Sequence, residues 1–138
     1  MKISAKTDYA CRALLELALH WPQEAPLQIG MIARHQRIPV KYLTQILLNL
    51  KQLGLVQSIR GQKGGYVLAR PPQEITLREV MQSFTDNGQL KQKKKSSDIF
   101  STIWGEITEE TWRIMDKVTF GEIIKRERNL NKVPMFTI

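Results

Sequence analysis

Ala10, Ala13, Leu14, Leu17, Ala18 and Trp21 recur at the spacing that lines up side chains along one stripe of an α-helix. The pattern predicts a first helix, with Thr7 or Asp8 placed to cap its start and Pro22 to close it. Ile29–Gln36 reads as a shorter helix with Ile29, Ile32 and Ala33 inward. Arg37-Ile38-Pro39 breaks that helix. Pro39 can open the next one, because proline has no N–H to lose in a first turn and its φ is already helical. There Leu43, Ile46, Leu47, Leu50 and Leu53 form the apolar side, and Gly54 stands where a left-handed residue ends a helix. Two helices joined by a short turn make a helix-turn-helix pattern, which many small helical proteins share.

The period then changes from about 3.6 to 2. Leu55–Ile59 alternates as a strand, and Tyr66-Val67-Leu68-Ala69 returns as a second. Between them lies Arg60-Gly61-Gln62-Lys63-Gly64-Gly65. A hairpin needs glycine for positive φ, but it does not need arginine and lysine beside it. Helix, helix, hairpin is the order of a winged helix-turn-helix, whose wing tip lies on a DNA backbone. In that setting the glycines let the backbone approach a phosphate, and Arg60 and Lys63 neutralise it or reach into a groove. A nucleotide-binding phosphate loop is excluded by the glycine spacing and by the absence of a helix right after it.

Thr76 and Glu79 form a capping box for a helix holding Leu77, Val80, Met81 and Phe84. Asp86-Asn87-Gly88 breaks it, and the polar stretch to Ser97 carries Lys91, Lys93, Lys94 and Lys95. Such a run reads first as a solvated loop, with an extra phosphate contact as the alternative. Ser97 or Asp98 caps a long helix with Ile99, Ile103, Ile107, Ile114 and Val118 along one face. Phe100, Trp104, Thr111 and Met115 flank that face, and Trp104 and Trp112 have few partners in so small a domain. Thr119 and Glu122 cap a short helix through Ile123 and Ile124, and the tail from Glu127 shows no periodicity. The expected fold is mainly α with a small β-hairpin: a winged helix-turn-helix over 1–84, a basic loop over 85–97, and a dimerisation helix with a C-terminal tail over 98–138. Ile99, Ile103, Trp104, Ile107, Ile114 and Val118 are the expected dimer contacts, because helix-turn-helix proteins pair on two-fold sites. The alternative is that the long helix packs only on its own wing domain.

Charge narrows the function. The 138 residues carry a net +8 with pI about 9.8, which points to an anionic partner such as nucleic acid or an acidic surface. Residues 1–80 hold 11 Lys+Arg against 5 Asp+Glu, whereas residues 81–138 hold 10 against 8, so the N-terminal half carries the excess. No apolar run is long enough to span a membrane, and MKISAKTDY has no apolar signal region. A single cysteine, Cys11, forbids an internal disulfide and suits a cytoplasmic setting. Beside an apolar stripe it reads as a structural thiol. No nucleophile–base set, paired carboxylates or metal-ligand spacing suggests an enzyme.

The chain resembles the Rrf family of winged-helix transcriptional regulators, the group of IscR, NsrR and CymR. The matching stretches are Lys6-x-x-Tyr9-Ala10 with Arg12-Ala13-Leu14, then IARHQRIPVKYLTQIL, then LGLVQSIRGQKGGYVLARPP with ITLREV. Trp104 and VTFGEI match more weakly. The resemblance covers nearly the whole chain and implies a homodimeric, sequence-specific regulator, a repressor, bound to an inverted-repeat operator. It implies a recognition helix at about 39–53 in the major groove and a wing at 60–66 at the minor groove. Lys41 and Tyr42 are then expected to meet phosphates, and Thr44 and Gln45 base edges, glutamine being able to bond adenine in a bidentate way. Arg60 and Gly61 fall where the family's wing enters the minor groove, with Lys63 and Tyr66 in support, and Lys6 and Tyr9 lie near the backbone. Tyr42 as a packed helix residue and Tyr66 as wing core remain the alternatives.

The departure from the family is as informative. Cluster-bearing members place three cysteines between the capping-box helix and the long helix, and here that segment, TDNGQLKQKKKSSDIFSTIW, has none. Iron–sulfur clusters need thiolate ligands. Cys11 alone cannot supply them, and His20 and His35 lie elsewhere. Asp8, near a position where some relatives use an acidic ligand, is left as a helix cap. No cluster and no other cofactor is expected, with a partner protein or small ligand as the candidate effector. A winged-helix module that acts by docking on a partner protein is the rival reading.

Overall fold

A computed structural model describes residues 2–22, 25–84 and 98–132. Its elements run α1 (Ala5–Leu19), α2 (Ile29–Gln36), α3 (Val40–Gln52), β1 (Val56–Ile59), β2 (Gly65–Leu68), a 3-10 turn (Pro72–Glu74), α4 (Leu77–Phe84), α5 (Ile99–Lys117) and α6 (Phe120–Lys132). The expected mainly helical winged helix-turn-helix is the fold observed. The lysine-rich loop of 85–97 lies outside the described residues.

Ser4, rather than Thr7 or Asp8, caps α1: its hydroxyl accepts the Thr7 N–H at 3.1 Å. Thr7 and Asp8 sit inside the first turn and are engaged otherwise. The Thr7 hydroxyl, 2% exposed, donates to the Phe84 carbonyl at 2.9 Å. Asp8 pairs with Arg12 one turn on, at 2.9 Å. α1 packs against α2, α3, α4, α6 and β2. Neighbours on so many sides leave room only for small residues at the closest approaches, and Ala10, Ala13 and Ala18 are buried beside Leu14 and Leu17.

Arg37 ends α2 in the left-handed conformation, φ 55°. That reversal lets the Ile38 N–H return to the Ala33 carbonyl and buries Ile38 between the two helices. Pro39 stands at the N-cap of α3, one position ahead of its first turn. α3 buries Leu43, Ile46, Leu47 and Leu50, while Leu53, expected inward, is the C-cap and lies exposed. Gly54 follows at φ 76°, where a side chain would be strained. β1 and β2 pair antiparallel with Val56 opposite Leu68 and Ile59 opposite Gly65. Leu27 adds a further rung by exchanging both backbone bonds with Tyr66, at 2.8 and 2.9 Å.

The capping box that opens α4 closes in both directions. Thr76 Oγ1 accepts the Glu79 N–H, and Glu79 Oε2 accepts the Thr76 N–H, each at 3.2 Å. Arg70 holds the same carboxylate at 2.8 and 3.0 Å. The second box lies beside the first: Thr76 and Thr119 bridge, Leu77 N–H donates to the Val118 carbonyl, and Phe120 N–H to the Ile75 carbonyl. This brings α6 back onto α1, with Phe120 and Ile124 inside the main core. α6 continues to Lys132, well past the expected end near Ile124. Its last turns carry no apolar stripe and rest on the good helix formers Lys125, Arg126, Glu127 and Arg128, on the Glu122–Arg126 pair and on Arg128 reaching the Leu19 carbonyl. α5 meets the rest of the chain through Trp112 and Met115, which join Met81 of α4 in a second small cluster. Arg78 lies over the Trp112 ring at 5.5 Å and pairs with Asp116 at 2.7 Å.

Candidate nucleic-acid interface

With one face of α3 buried, the other turns Lys41, Tyr42, Thr44, Gln45, Leu48 and Gln52 toward solvent. Three of the nominated residues come together where α3 begins. The Tyr42 ring stacks on Tyr9 with centroids 6.3 Å apart and planes 23° apart, and Lys41 Nζ lies 4.9 Å from the Tyr42 ring. The pair joins the N-terminal halves of α1 and α3 and leaves Tyr42 half exposed. Lys6, also exposed, is turned toward the Phe84 ring of α4 at 5.8 Å. The Thr44 hydroxyl donates to the Val40 carbonyl at 3.1 Å, so it offers an outside group only its lone pairs and its methyl. Gln45 Nε2 donates to Asn49 Oδ1 at 2.9 Å.

At the wing, Arg60, Gly61, Gln62 and Lys63 are all exposed. The three glycines divide into two kinds. A Cβ on Gly64 would stand 2.2 Å from the Ile59 carbonyl oxygen, and one on Gly65 would stand 2.3 Å from the Leu27 carbonyl oxygen. Gly64 answers to the hairpin's own backbone, and Gly65 to the Leu27 rung beside it. Gly61, at φ 117°, has nothing within 4 Å of a would-be Cβ, so its backbone conformation rather than crowding calls for glycine. Tyr66 sits in mid-β2, half-buried against the core, as the wing-core alternative had it. Lys51 Nζ donates to Ser58 Oγ at 2.9 Å and ties α3 to β1.

One polar group that holds α2 was not read from the sequence. Glu16, 4% exposed, accepts from His35 Nδ1 at 2.8 Å through one oxygen and from Gln36 Nε2 at 2.9 Å through the other. A carboxylate only accepts, so His35 Nδ1 carries the proton there. His20 Nδ1 lies 3.0 Å from the Glu16 carbonyl oxygen, and Arg12 reaches the Gln36 carbonyl. A glutamate flanked by Leu15 and Leu17 on a heavily packed helix was the available signal. Cys11 is half-buried, and burial, with the Asp8 charge second, pushes its thiol up to about 11. Such a thiol is protonated and unreactive near neutrality.

α5 carries apolar side chains on two faces. Trp112 and Met115 face α4, while Ile99, Phe100, Trp104, Ile107 and Ile114 are each more than half exposed. Phe100 and Trp104 stack at 6.0 Å. Ile103 is partly covered, and Val118 is engaged at the α4–α6 junction. Among the described residues no group of three or more His, Cys, Asp or Glu could hold a metal, and no helix is long and apolar enough to cross a membrane.

The Rrf2 family, described as iron-dependent transcriptional regulators, matches residues 3–126. An HTH-type transcriptional regulator of Synechocystis is 34% identical across 82% of this chain and 75% of that one. IscR of Xenorhabdus nematophila is 30% identical across 95% of this chain and 84% of its own. Among solved structures, T. potens IscR superposes with TM-score 0.84 at 27% identity, covering 96% of this chain and 93% of that one. CymR of B. subtilis superposes with TM-score 0.79 at 29% identity, covering 91% and 98%. With a winged helix-turn-helix, a basic wing and a family match over nearly its whole length, the chain belongs to the Rrf2 family of DNA-binding transcriptional regulators and is not an enzyme.

Proposed function

We propose that the protein is a homodimeric, sequence-specific repressor that works without an iron–sulfur cluster. One observation carries the DNA-binding geometry: α3 buries Leu43, Ile46, Leu47 and Leu50 completely and leaves Lys41, Tyr42, Thr44 and Gln45 exposed on the other side. In this reading the helix at about 39–53 enters the major groove. Lys41 and Tyr42, with Lys6 and Tyr9 behind them, meet phosphates, and Thr44 and Gln45 meet base edges. The wing at 60–66 lies at the minor groove, where Arg60 and Lys63 supply charge, Gly61 supplies backbone, and Tyr66 supports the strand beneath. Residues 1–84 form the DNA-binding unit and 98–138 the pairing unit.

Pairing is supported by the outer face of α5. Five large apolar side chains stay more than half exposed along a helix of 19 residues. An apolar strip of that length marks an interaction surface, and a second copy would bury it by two-fold symmetry. Ile103 and Val118 border this contact, and Ile99, Trp104, Ile107 and Ile114 form it.

The donor set supports a cluster-free regulator. Cys11 is the chain's only cysteine, it lies within the core-packed helix α1, and its thiol is held protonated. A thiolate-ligated cluster does not fit these residues. Neither residues 85–97 nor the segment leading into α5 supplies a cysteine or histidine. The signal therefore comes from a partner protein or a small ligand, and the setting is the cytoplasm.

Selection of genomic fragments by the purified protein tests the reading. An inverted repeat with half-sites about one helical turn apart is expected, and binding that weakens steeply with salt. Arg60→Ala should lower affinity at every site. Gln45→Ala should relax preference at one base pair in each half-site. A monomer that binds DNA weakly and without sequence preference would instead favour a protein-docking module.

A further inference from the structure

We propose that Gln45, Leu48 and Asn49 form one base-reading element, in which Asn49 positions Gln45 and Leu48 reads a thymine methyl, given that α3 is the major-groove helix. A glutamine amide offers a carbonyl acceptor and two N–H donors. The 2.9 Å bond to Asn49 Oδ1 uses one donor. When it uses the N–H pointing away from the carbonyl, the carbonyl and the other N–H remain side by side. That is the pair adenine requires at its N6 amino group and N7. Gln45 is exposed and would otherwise sample many rotamers, whereas Asn49, one turn further on, is half-buried and more confined.

Leu48 completes the element. The centre of the outward face runs Lys41, Gln45, Leu48, Gln52, at spacings of four, three and four, opposite the buried Leu43, Ile46, Leu47 and Leu50. Leu48 is 46% exposed and is the apolar member of that polar row. Major-groove base edges present polar groups with one apolar exception, the C5-methyl of thymine. Leu48 lies three residues beyond Gln45 on the same face, so the element reads a thymine next to the adenine that Gln45 contacts.

Site selection from a random DNA library by the full-length protein tests this, with each variant first checked for native helicity. Gln45→Ala serves as the reference, because it defines the position read by the amide. Asn49→Ala should weaken preference at that same position by about twofold to tenfold, the range between an isolated helix pair and full ordering of a long side chain. Asn49→Asp keeps the acceptor, so it should retain that preference while its charge lowers affinity for all sequences alike. Replacing the adjacent thymine by uracil removes only the methyl. Wild type should lose about fourfold in affinity, the worth of one buried carbon, and Leu48→Ala should be insensitive to the exchange. Asn49→Ala with wild-type preferences would overturn the positioning role, and a uracil-insensitive wild type would overturn the thymine contact. No enriched site, or Gln45→Ala with unchanged preference, would overturn the major-groove reading and this proposal together.

Discussion

Replacing Thr7 by valine removes one hydroxyl and almost no volume. Thr7 is 2% exposed, and its hydroxyl donates to the Phe84 carbonyl at 2.9 Å. Phe84 is the last described residue of α4. Phe84 is itself only 3% exposed, which keeps water from replacing the lost donor easily. The same hydroxyl lies 2.8 Å from Ser4 Oγ, so valine removes two hydrogen bonds, which together cost about 1–3 kcal/mol. For a chain of this length that lowers Tm by roughly 4–12 °C. Urea unfolding followed by circular dichroism, at one fixed protein concentration, measures the change. Thr7→Ser keeps the hydroxyl and should lose less than about 1 kcal/mol. Thr7→Val within about 0.3 kcal/mol of wild type, or no worse than Thr7→Ser, would refute the role given to this hydroxyl.

Arg37→Gly should stabilise the protein by about 0.5–1 kcal/mol in the same assay, since Arg37 holds φ 55° and glycine adopts it without strain. A loss of stability there would mean that the Arg37 side chain contributes more than its backbone costs. Cys11 should react with iodoacetamide at pH 8 about 100-fold more slowly in the folded protein than in urea, because folding raises its thiol from 9.0 to about 11. The same shift means the folded state keeps a proton that the unfolded chain releases, so stability should hold below pH 9 and decline as pH rises toward 11. A folded-state rate equal to the unfolded one would remove the burial argument. Ile107→Glu combined with Ile114→Glu should leave a folded monomer by sedimentation, with operator affinity lower by on the order of 100-fold because only one half-site is held at a time. A variant that still sediments as a dimer would place the interface elsewhere.

Helix positions were legible wherever periodicity and termini agreed. Leu43, Ile46, Leu47 and Leu50 repeat on one side of α3 and are buried there, and the Thr76–Glu79 box closes as its spacing requires. The reading went wrong where a residue had a distant partner. Thr7 resembles a cap, but its hydroxyl is taken by Phe84, 77 residues away, and Ser4 caps instead. The end of α6 was missed because periodicity detects burial, and the last turns of that helix bury little. Glu16 gave no cue that its two oxygens would meet His35 and Gln36, because that contact exists only once α1 and α2 cross.

Sequence alone determined the order of elements, the basic wing, the absence of cysteine from the segment before α5 and the apolar strip of α5, because each depends on residues near one another or on composition. Tertiary structure decided which glycines of the wing have no room for a side chain. The carbonyl oxygens of Ile59 and Leu27 stand where a Cβ of Gly64 and Gly65 would lie, whereas Gly61 faces open space. It also decided which face of α5 is satisfied within the chain, with Trp112 and Met115 against α4 and Trp104 and its neighbours left outside. Both outcomes depend on what lies within a few ångströms in space, and spacing along a chain does not encode that distance.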